Sequence, residues 1–543
     1  MKIKNILYTL TFTLVLFAVI TGCKKADFDI NKNPNSPTDS TVTFNVILPA
    51  ALEATGSLVA TDWGWLQNYM GFWARSGTYA PNTQEETYSL TTSSQTAVWN
   101  DIYDNCYDYQ VMQNKAEASG KGADFYAGIA RIMKSHNYQI LVDFYNNAPY
   151  KQALKGNANV TPAYDKGIDV YKDLLRQIDA GITLIKGADT TKNSIVANDI
   201  MFAGSKSKWI RFANTLKLRL LIHLHNGWNS NTVVPGIDVA AEYMIIQNSV
   251  SDGMPFLQTG EDAQAQPGYV SNKPNPFWGT YKQDATGTTT ANADYYKANK
   301  YAIDYYKQNV DLRINRFYVP GKTTTLMGAT VVGIGVQYGL PSATLYDKDK
   351  LAGIGPGILK AVTQPQWIMT ATESKFLQAE FLERYAPGTA GPALNEAIKE
   401  SFYFLWGVFT TAPVASQAAI DGYVDGTYLA NNATYSDVDY GAAAATNNNN
   451  IAGGLYTILA QKWFALNGIA PYEVFSDYRR TDIVYGLGGD YAPGPAISVS
   501  PNNTATKIPS RLLYPQSEYN YNSANVVSQG GVDRYGKVFW DLN

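Results

Sequence analysis

Cysteine and histidine are close to absent from this chain, which carries 2 of the first and 3 of the second in 543 residues. Cys23 closes an apolar N-terminal run, so Cys106 has no partner and no disulfide staples the protein. The spacing of Cys106 from Trp99, Ile102 and Tyr103 predicts a buried structural thiol. His223 and His225 are two apart on a predicted helix, which points them to different faces and argues against a shared metal. His136 lies within a long apolar helix and reads as packed or surface-exposed. Charge is scarce as well. Only 16% of residues are charged and the net charge is −3, far from the basic patch and high pI of a nucleic-acid binder.

Catalytic signatures are missing too. The chain has no Gly-x-Ser-x-Gly elbow, no His-Glu-x-x-His, no P-loop and no Rossmann glycine pattern. Gly486-Leu487-Gly488-Gly489 and Gly353-Ile354-Gly355-Pro356-Gly357 are loop glycines without a strand-turn-helix frame. Asp437-Val438-Asp439-Tyr440-Gly441 has a faint calcium-loop look, but its glycine comes one position early and no Glu stands at the twelfth place. No catalytic residue, cofactor or metal ligand is expected. Paired carboxylates are defined by their separation in space, so a hydrolase stays open as the lesser alternative.

Apolar and aromatic residues are abundant. Hydrophobic residues make up 45% of the chain, and 39 Tyr stand beside 11 Trp and 20 Phe. Rings in such numbers suit packed helices whose outer surface also binds something. The N-terminus reads Met1-Lys2-Ile3-Lys4-Asn5, then an apolar run from Ile6 to Ile20, then Thr21-Gly22-Cys23. That run is too short for an ordinary transmembrane helix and right for a secretory signal. Ile20-Thr21-Gly22-Cys23 is similar to the bacterial lipobox, in which the cysteine is lipidated and becomes the mature N-terminus. Residues 1–22 are therefore expected as signal peptide, and 23–39 as lipidated Cys23 with a flexible leash containing Pro34 and Pro37. No second hydrophobic segment of that kind follows, so 40–543 is expected as a soluble single domain.

Helical stripes recur along that domain. Ile47, Leu48, Ala51, Leu52 and Thr55 form one, and Trp65, Leu66, Tyr69, Met70 and Trp73 another. Trp99 to Ala118 is a third helix. The helix from Asp124 towards Tyr150 carries Phe125, Ile129, Ile132, Met133, Ile140, Leu141 and Phe144 on one face. Ala127, Gly128 and Ala130 keep its early turns slim, so a second helix can approach, and Pro149 should stop it. Tyr164 to Ile185, Trp209 to Leu224, Trp367 to Arg384, Pro392 to Trp406 and Gly454 to Asn467 follow. The pattern predicts a mainly α, tetratricopeptide-like helix-pair scaffold. Between about 251 and 365 Gly, Pro, Thr, Asn and Tyr dominate, and Thr323–Gly335 has a β-like composition. This loop-rich, partly β insertion is expected to form the ligand-binding face.

Several stretches together resemble one family. The leash Asn31-Lys32-Asn33-Pro34-Asn35-Ser36-Pro37-Thr38 is followed by Ala130-Arg131 through Leu141-Val142-Asp143-Phe144-Tyr145 and Pro149-Tyr150. Then come Pro162-Ala163-Tyr164-Asp165, Trp209 through Arg219, and Glu373 through Glu380. Gln461-Lys462-Trp463-Phe464-Ala465-Leu466, Asp477-Tyr478-Arg479-Arg480-Thr481 and Ile508-Pro509-Ser510-Arg511-Leu512 complete the series. In order and spacing they are similar to the SusD/RagB family of outer-membrane nutrient-binding lipoproteins, nearest its SusD-like branch. The resemblance implies a lipid-anchored helical protein of the outer membrane that works with a SusC-like TonB-dependent transporter. It implies capture of oligosaccharides or, in some branches, peptides, and no catalysis. Surface-export signals of the family are often acidic just after the cysteine. Here Lys24-Lys25 come first and Asp27 and Asp29 later, so the resemblance implies anchoring more firmly than facing outward.

Sugar binding needs flat rings presented from loops, with short polar groups beside them. Trp65, Trp73, Trp99, Trp209 and Trp463 fall in helical register and read as core. Trp63, just ahead of the second stripe, and Tyr79 in the loop that follows are candidates. Phe277, Trp278 and Tyr281 sit in the turn-rich stretch Asn275-Pro276-Phe277-Trp278-Gly279-Thr280-Tyr281. Tyr296 is a weaker candidate beside Tyr295, since Tyr295 to Tyr306 has the makings of a short helix. Arg479 and Arg480 with Asp477 and Asp482 read as a structural ion-pair cluster.

Overall fold

Apolar residues at helical spacing build α1 (Phe44–Thr61), which buries Leu48, Ala51, Leu52 and Thr55. The structure, a computed structural model, describes residues 42–61, 63–226, 232–322, 334–433, 438–440, 454–481 and 497–541. Phe44–Asn543 form one unit. The short α2 (Gly64–Tyr69) comes next. Here the chain leaves the helical register that the sequence suggests. Gly71 takes φ +78°, a conformation open to glycine, and Trp73 lands in strand β1 (Trp73–Arg75). By length and composition alone, 44–69 is apolar enough to cross a membrane. Its buried side chains, Leu58 and Leu66 among them, belong instead to the core of the body.

Two long helices, α3 (Thr96–Ser119) and α4 (Asp124–Tyr145), pack along each other. The sequence predicts one apolar face on α4, but the helix is enclosed on nearly every side. Only Asp124, Arg131 and Lys134 fall outside its buried set. It ends at Asn146, which takes φ +68°, short of the expected stop at Pro149. Ala148–Pro149 (β2) then pairs with Tyr164–Asp165 (β3). The next helix, α5 (Gly167–Gly187), packs on the other flank of α4. A Cβ added to Gly128 would sit 2.7 Å from the Gly181 carbonyl oxygen, and one on Gly181 2.8 Å from that of Gly128. The slim turn of α4 thus lets two backbones touch.

Beyond α6 (Lys206–His223) and α7 (Val239–Gln247) the chain enters the expected insertion. It holds short pieces: β4 (Ala263–Ala265), α8 (Pro276–Tyr281), α9 (Ala291–Tyr295), β5 (Tyr296–Ala298) and α10 (Lys300–Gln308). Residues 323–333 of the β-like stretch lie outside the described residues. Helices return after β6 (Gln366–Met369), as α11 (Ala371–Tyr385), α12 (Gly391–Trp406), α13 (Gly454–Leu466) and α14 (Pro471–Thr481). The fold is mainly α, and every sheet among the described residues has two strands, as in β1 with β5 and β4 with β6.

The centre of this helical body is ionic. Arg219 pairs with Glu373 at 2.5 Å and Glu473 at 3.1 Å. Arg480 pairs with Glu380 at 2.6 Å and Asp477 at 2.5 Å, and Lys462 reaches Asp477 at 2.9 Å. Arg479 donates to the carbonyl oxygens of Asp143 and Ser510. The expected structural cluster at Asp477, Arg479 and Arg480 is therefore present, while Asp482 lies outside the described residues. The two neighbouring histidines part company, though not as two faces of one helix: α6 ends at His223, and His225 lies in a short strand beyond it. His223 lies between Glu473 and Asp143, at 3.1 and 3.2 Å, whereas His225 meets the Leu221 carbonyl oxygen and the Tyr385 hydroxyl. Cys106 and His136 are fully buried. Burial pushes the Cys106 thiol up to about 12, so it stays a protonated packing group.

Candidate functional site

The six rings singled out in the sequence divide into two groups. Trp63 is 2% exposed, and its faces are taken by Phe144 and Tyr472, with ring centroids 5.1 and 5.3 Å away. It fastens the α1–α2 junction to α4 and α14 and presents nothing to solvent. Phe277 and Tyr281 are also buried. The stretch Asn275 to Tyr281 is a helix rather than a turn, because Asn275 caps it by accepting from the Trp278 N–H at 2.9 Å and Pro276 occupies its first turn. Helical spacing sends Phe277 and Tyr281 inward and leaves Trp278 half-buried. Tyr79 and Tyr296 are half-buried at loop and strand positions.

Four of the six, Phe277, Tyr281, Tyr296 and Tyr79, belong to one ladder. Phe277 meets Trp367 at 4.9 Å and Tyr281 at 4.9 Å, and Trp73 meets Tyr281 at 5.0 Å. Tyr281 and Trp73 each touch Tyr296, at 5.7 and 5.6 Å. Tyr296 contacts Tyr295 at 4.9 Å, and Tyr295 contacts Tyr79 at 5.5 Å in an edge-on pair. Tyr295, offered by the sequence only as a weak candidate beside Tyr296, is the ring that meets Tyr79. Its cue is the register of β1 with β5, in which Arg75 faces Tyr296 and so brings Tyr295 against the loop after Arg75.

Backbone hydrogen bonds draw three loops to this end of the ladder. The Ser76 N–H donates to the Tyr295 carbonyl oxygen at 2.8 Å, and the Gly77 N–H to that of Tyr346 at 2.7 Å. A Cβ at Gly77 would lie 2.7 Å from the Ala343 carbonyl oxygen, so only glycine fits there. Arg75 holds the arrangement from behind. Buried against Glu86 at 2.6 Å, its guanidinium also donates to the carbonyl oxygens of Tyr79 and Leu340, each at 2.6 Å. The ring of Tyr79 thus stands on a fixed backbone.

Polar groups around the rings are already matched to one another. Lys348 pairs with Asp294 at 2.7 Å, and the Thr78 hydroxyl donates to Asp347 at 3.1 Å. The N–H of Asp349 and the Thr78 hydroxyl hold the Asp347 carboxyl below its usual range. Behind them, burial pushes the Glu85 carboxyl up to about 7. No group of three or more metal-ligating side chains stands together among the described residues. Asp437 and Gly441 of the calcium-like stretch lie outside those residues. Such a face can stack flat rings and offer hydroxyl, carboxylate and ammonium groups to a polar ligand.

A helical scaffold carrying a ring-bearing face built from loops defines the class: a helical binding protein. The chain belongs to the SusD-like family, described as starch-binding and associating with the outer membrane, whose model matches residues 34–515. Solved structures agree on the fold. A SusD/RagB family protein from Bacteroides thetaiotaomicron is 21% identical with a TM-score of 0.67, over 92% of this chain and 97% of that one. A SusD homolog from Bacteroides fragilis is 18% identical with a TM-score of 0.67, over 92% and 99%. A chitin-binding SusD homolog from Flavobacterium johnsoniae is 21% identical with a TM-score of 0.66, over 91% and 99%. No curated protein matches the sequence.

Proposed function

We propose that this protein is a lipid-anchored outer-membrane binder that captures oligosaccharides non-covalently and passes them to a SusC-like TonB-dependent transporter. The observation that carries the reading is the pair Tyr79 and Tyr295, half-exposed and set by the Arg75 clamp. Tyr296 packs against Tyr295 at 4.9 Å, and Trp278 is a further half-buried ring of the same insertion. Half-exposed rings on fixed backbone suit the apolar faces of pyranose units, and Thr78, Asp294 and Lys348 suit their hydroxyls. The family to which the chain belongs, and the chitin-binding relative of the same fold, support a glycan as ligand. Lipidation at Cys23 and the signal peptide before it rest on the lipobox. A peptide ligand is the second reading within the family. It is less favoured because Asp294 and Lys348 of this face already neutralise each other. The third, a glycoside hydrolase, is less favoured because Asp294 and Asp347 at the face are already engaged, by Lys348 and by Thr78.

Calorimetry of the soluble body against a panel of neutral oligosaccharides tests the proposal. Binding by at least one glycan is expected, weakened about fivefold by Tyr295→Ala or Tyr79→Ala at unchanged melting temperature, since an aromatic contact is worth about 1 kcal/mol. Heat from peptides alone, or glycan affinity untouched by both substitutions, overturns it.

A further inference from the structure

A groove of about 610 Å³ is lined by α3, α4, α5 and the loop after Tyr150. That volume falls in the range of small-ligand sites. Three residues that line it carry a buried polar atom with no protein partner: Tyr138 its hydroxyl, Gln113 its Oε1 and Arg131 its Nε. Tyr138 is 2% exposed and Gln113 6%. The identity of the Gln113 oxygen is fixed, because its Nε2 donates to Glu117 at 2.8 Å. Buried polar groups normally find partners, so three orphans around one cavity call for a polar occupant.

Charge narrows its chemistry. Arg131, Lys134, Lys151 and Lys155 line the groove, and Asp173 is the one carboxylate among the lining residues. Beyond the lining, Glu117 pairs with Arg131 at 2.7 Å and Asp165 with Lys151 at 3.6 Å, which leaves Lys134 and Lys155 without a carboxylate partner among the ion pairs of the described residues. Asp173 is already occupied, accepting from Tyr150, Arg176 and Gln177. Lys134 donates to Gln110 and is one of the few residues of α4 outside the buried set. The cations ask for an anion, but Gln113 Oε1 accepts only and asks for a donor. A bare inorganic anion satisfies the first and not the second. A ligand with a carboxylate and hydroxyl groups satisfies both.

We propose that this groove is a second binding site, separate from the aromatic face, for an acidic sugar unit whose carboxylate meets Lys134 and Arg131 and whose hydroxyls meet Gln113 and Tyr138. The two sites share no residue, so either proposal can fail while the other stands. The test is calorimetry of the soluble body with glucuronate and galacturonate dimers, neutral disaccharides, sulfate and diglutamate. Uronate binding is expected, weakened tenfold or more by Lys134→Met and several-fold by Tyr138→Phe, and unchanged by Tyr295→Ala. Tyr138→Phe removes a hydroxyl with no protein partner, so a purely structural role leaves the uronate affinity unmoved. Absence of uronate binding, equal binding of sulfate or diglutamate, indifference to both groove variants, or loss with Tyr295→Ala each overturns the assignment.

Discussion

Arg75 illustrates how one buried side chain can set a surface. Its guanidinium ties Glu86, Tyr79 and Leu340 together, so the exposed rings inherit their position from a residue that touches no solvent. His223 does comparable work in the ionic centre. Burial opposes its charge, but Glu473 and Asp143 outweigh that and raise the imidazole to about 9. A raised folded-state pKa gives stability that is complete below the unfolded value near 6.5 and is lost as pH climbs through about 9. The expected share is on the order of 3 kcal/mol. Chemical denaturation of wild type and His223→Gln between pH 6 and 10 should show the variant less stable at the acidic end, with the gap closing towards the alkaline end. A gap that stays constant with pH would mean that His223 is neutral in the fold. At this scale the site was only partly legible. Tyr79 follows from its loop composition, whereas the burial of Phe277 and Tyr281 was written in Asn275-Pro276, a cap and first-turn pair that starts a helix. Trp63 gave no such sign, because its partners Phe144 and Tyr472 are distant in sequence.

Elements were more legible than their ends. Stripes of 3.6-residue period located α3, α4, α5, α6, α11, α12 and α13, since that period follows from burying one face. Trp73 left its stripe because Gly71 broke the helix first. α14 was read only as a charged motif, since Glu473, Asp477, Arg479 and Arg480 are among its buried side chains and periodicity of apolar residues cannot reveal those. The contact of α4 with α5 gives a direct test. Gly128→Val places methyl groups where the Gly181 carbonyl stands and should cost about 1–3 kcal/mol, lowering the melting temperature by a few degrees. Gly187→Ala, at the open end of α5 with nothing within 4 Å, should leave it unchanged or slightly raised. Equal effects of the two would remove close approach as the reason for the slim turn.

For the molecule as a whole, the proposed attachment through Cys23 is separable from folding. With Cys23→Ala the body should fold with an unchanged melt yet move from the membrane fraction to the soluble fraction, which fractionation and immunoblotting would show. Persistence in the membrane would argue for another anchor. The buried centre, meanwhile, joins residues that are far apart in the chain. Arg480 meets Glu380 across 100 positions, and Asp143 accepts from the Trp540 indole across 397. Charges left without these partners would be costly to dehydrate, so the early helices have little reason to close around Asp143 on their own. The middle of the protein is completed only when its last segment arrives. A polypeptide left open until then suits threading through a narrow passage, which is what the signal peptide proposed for residues 1–22 would require of it before folding.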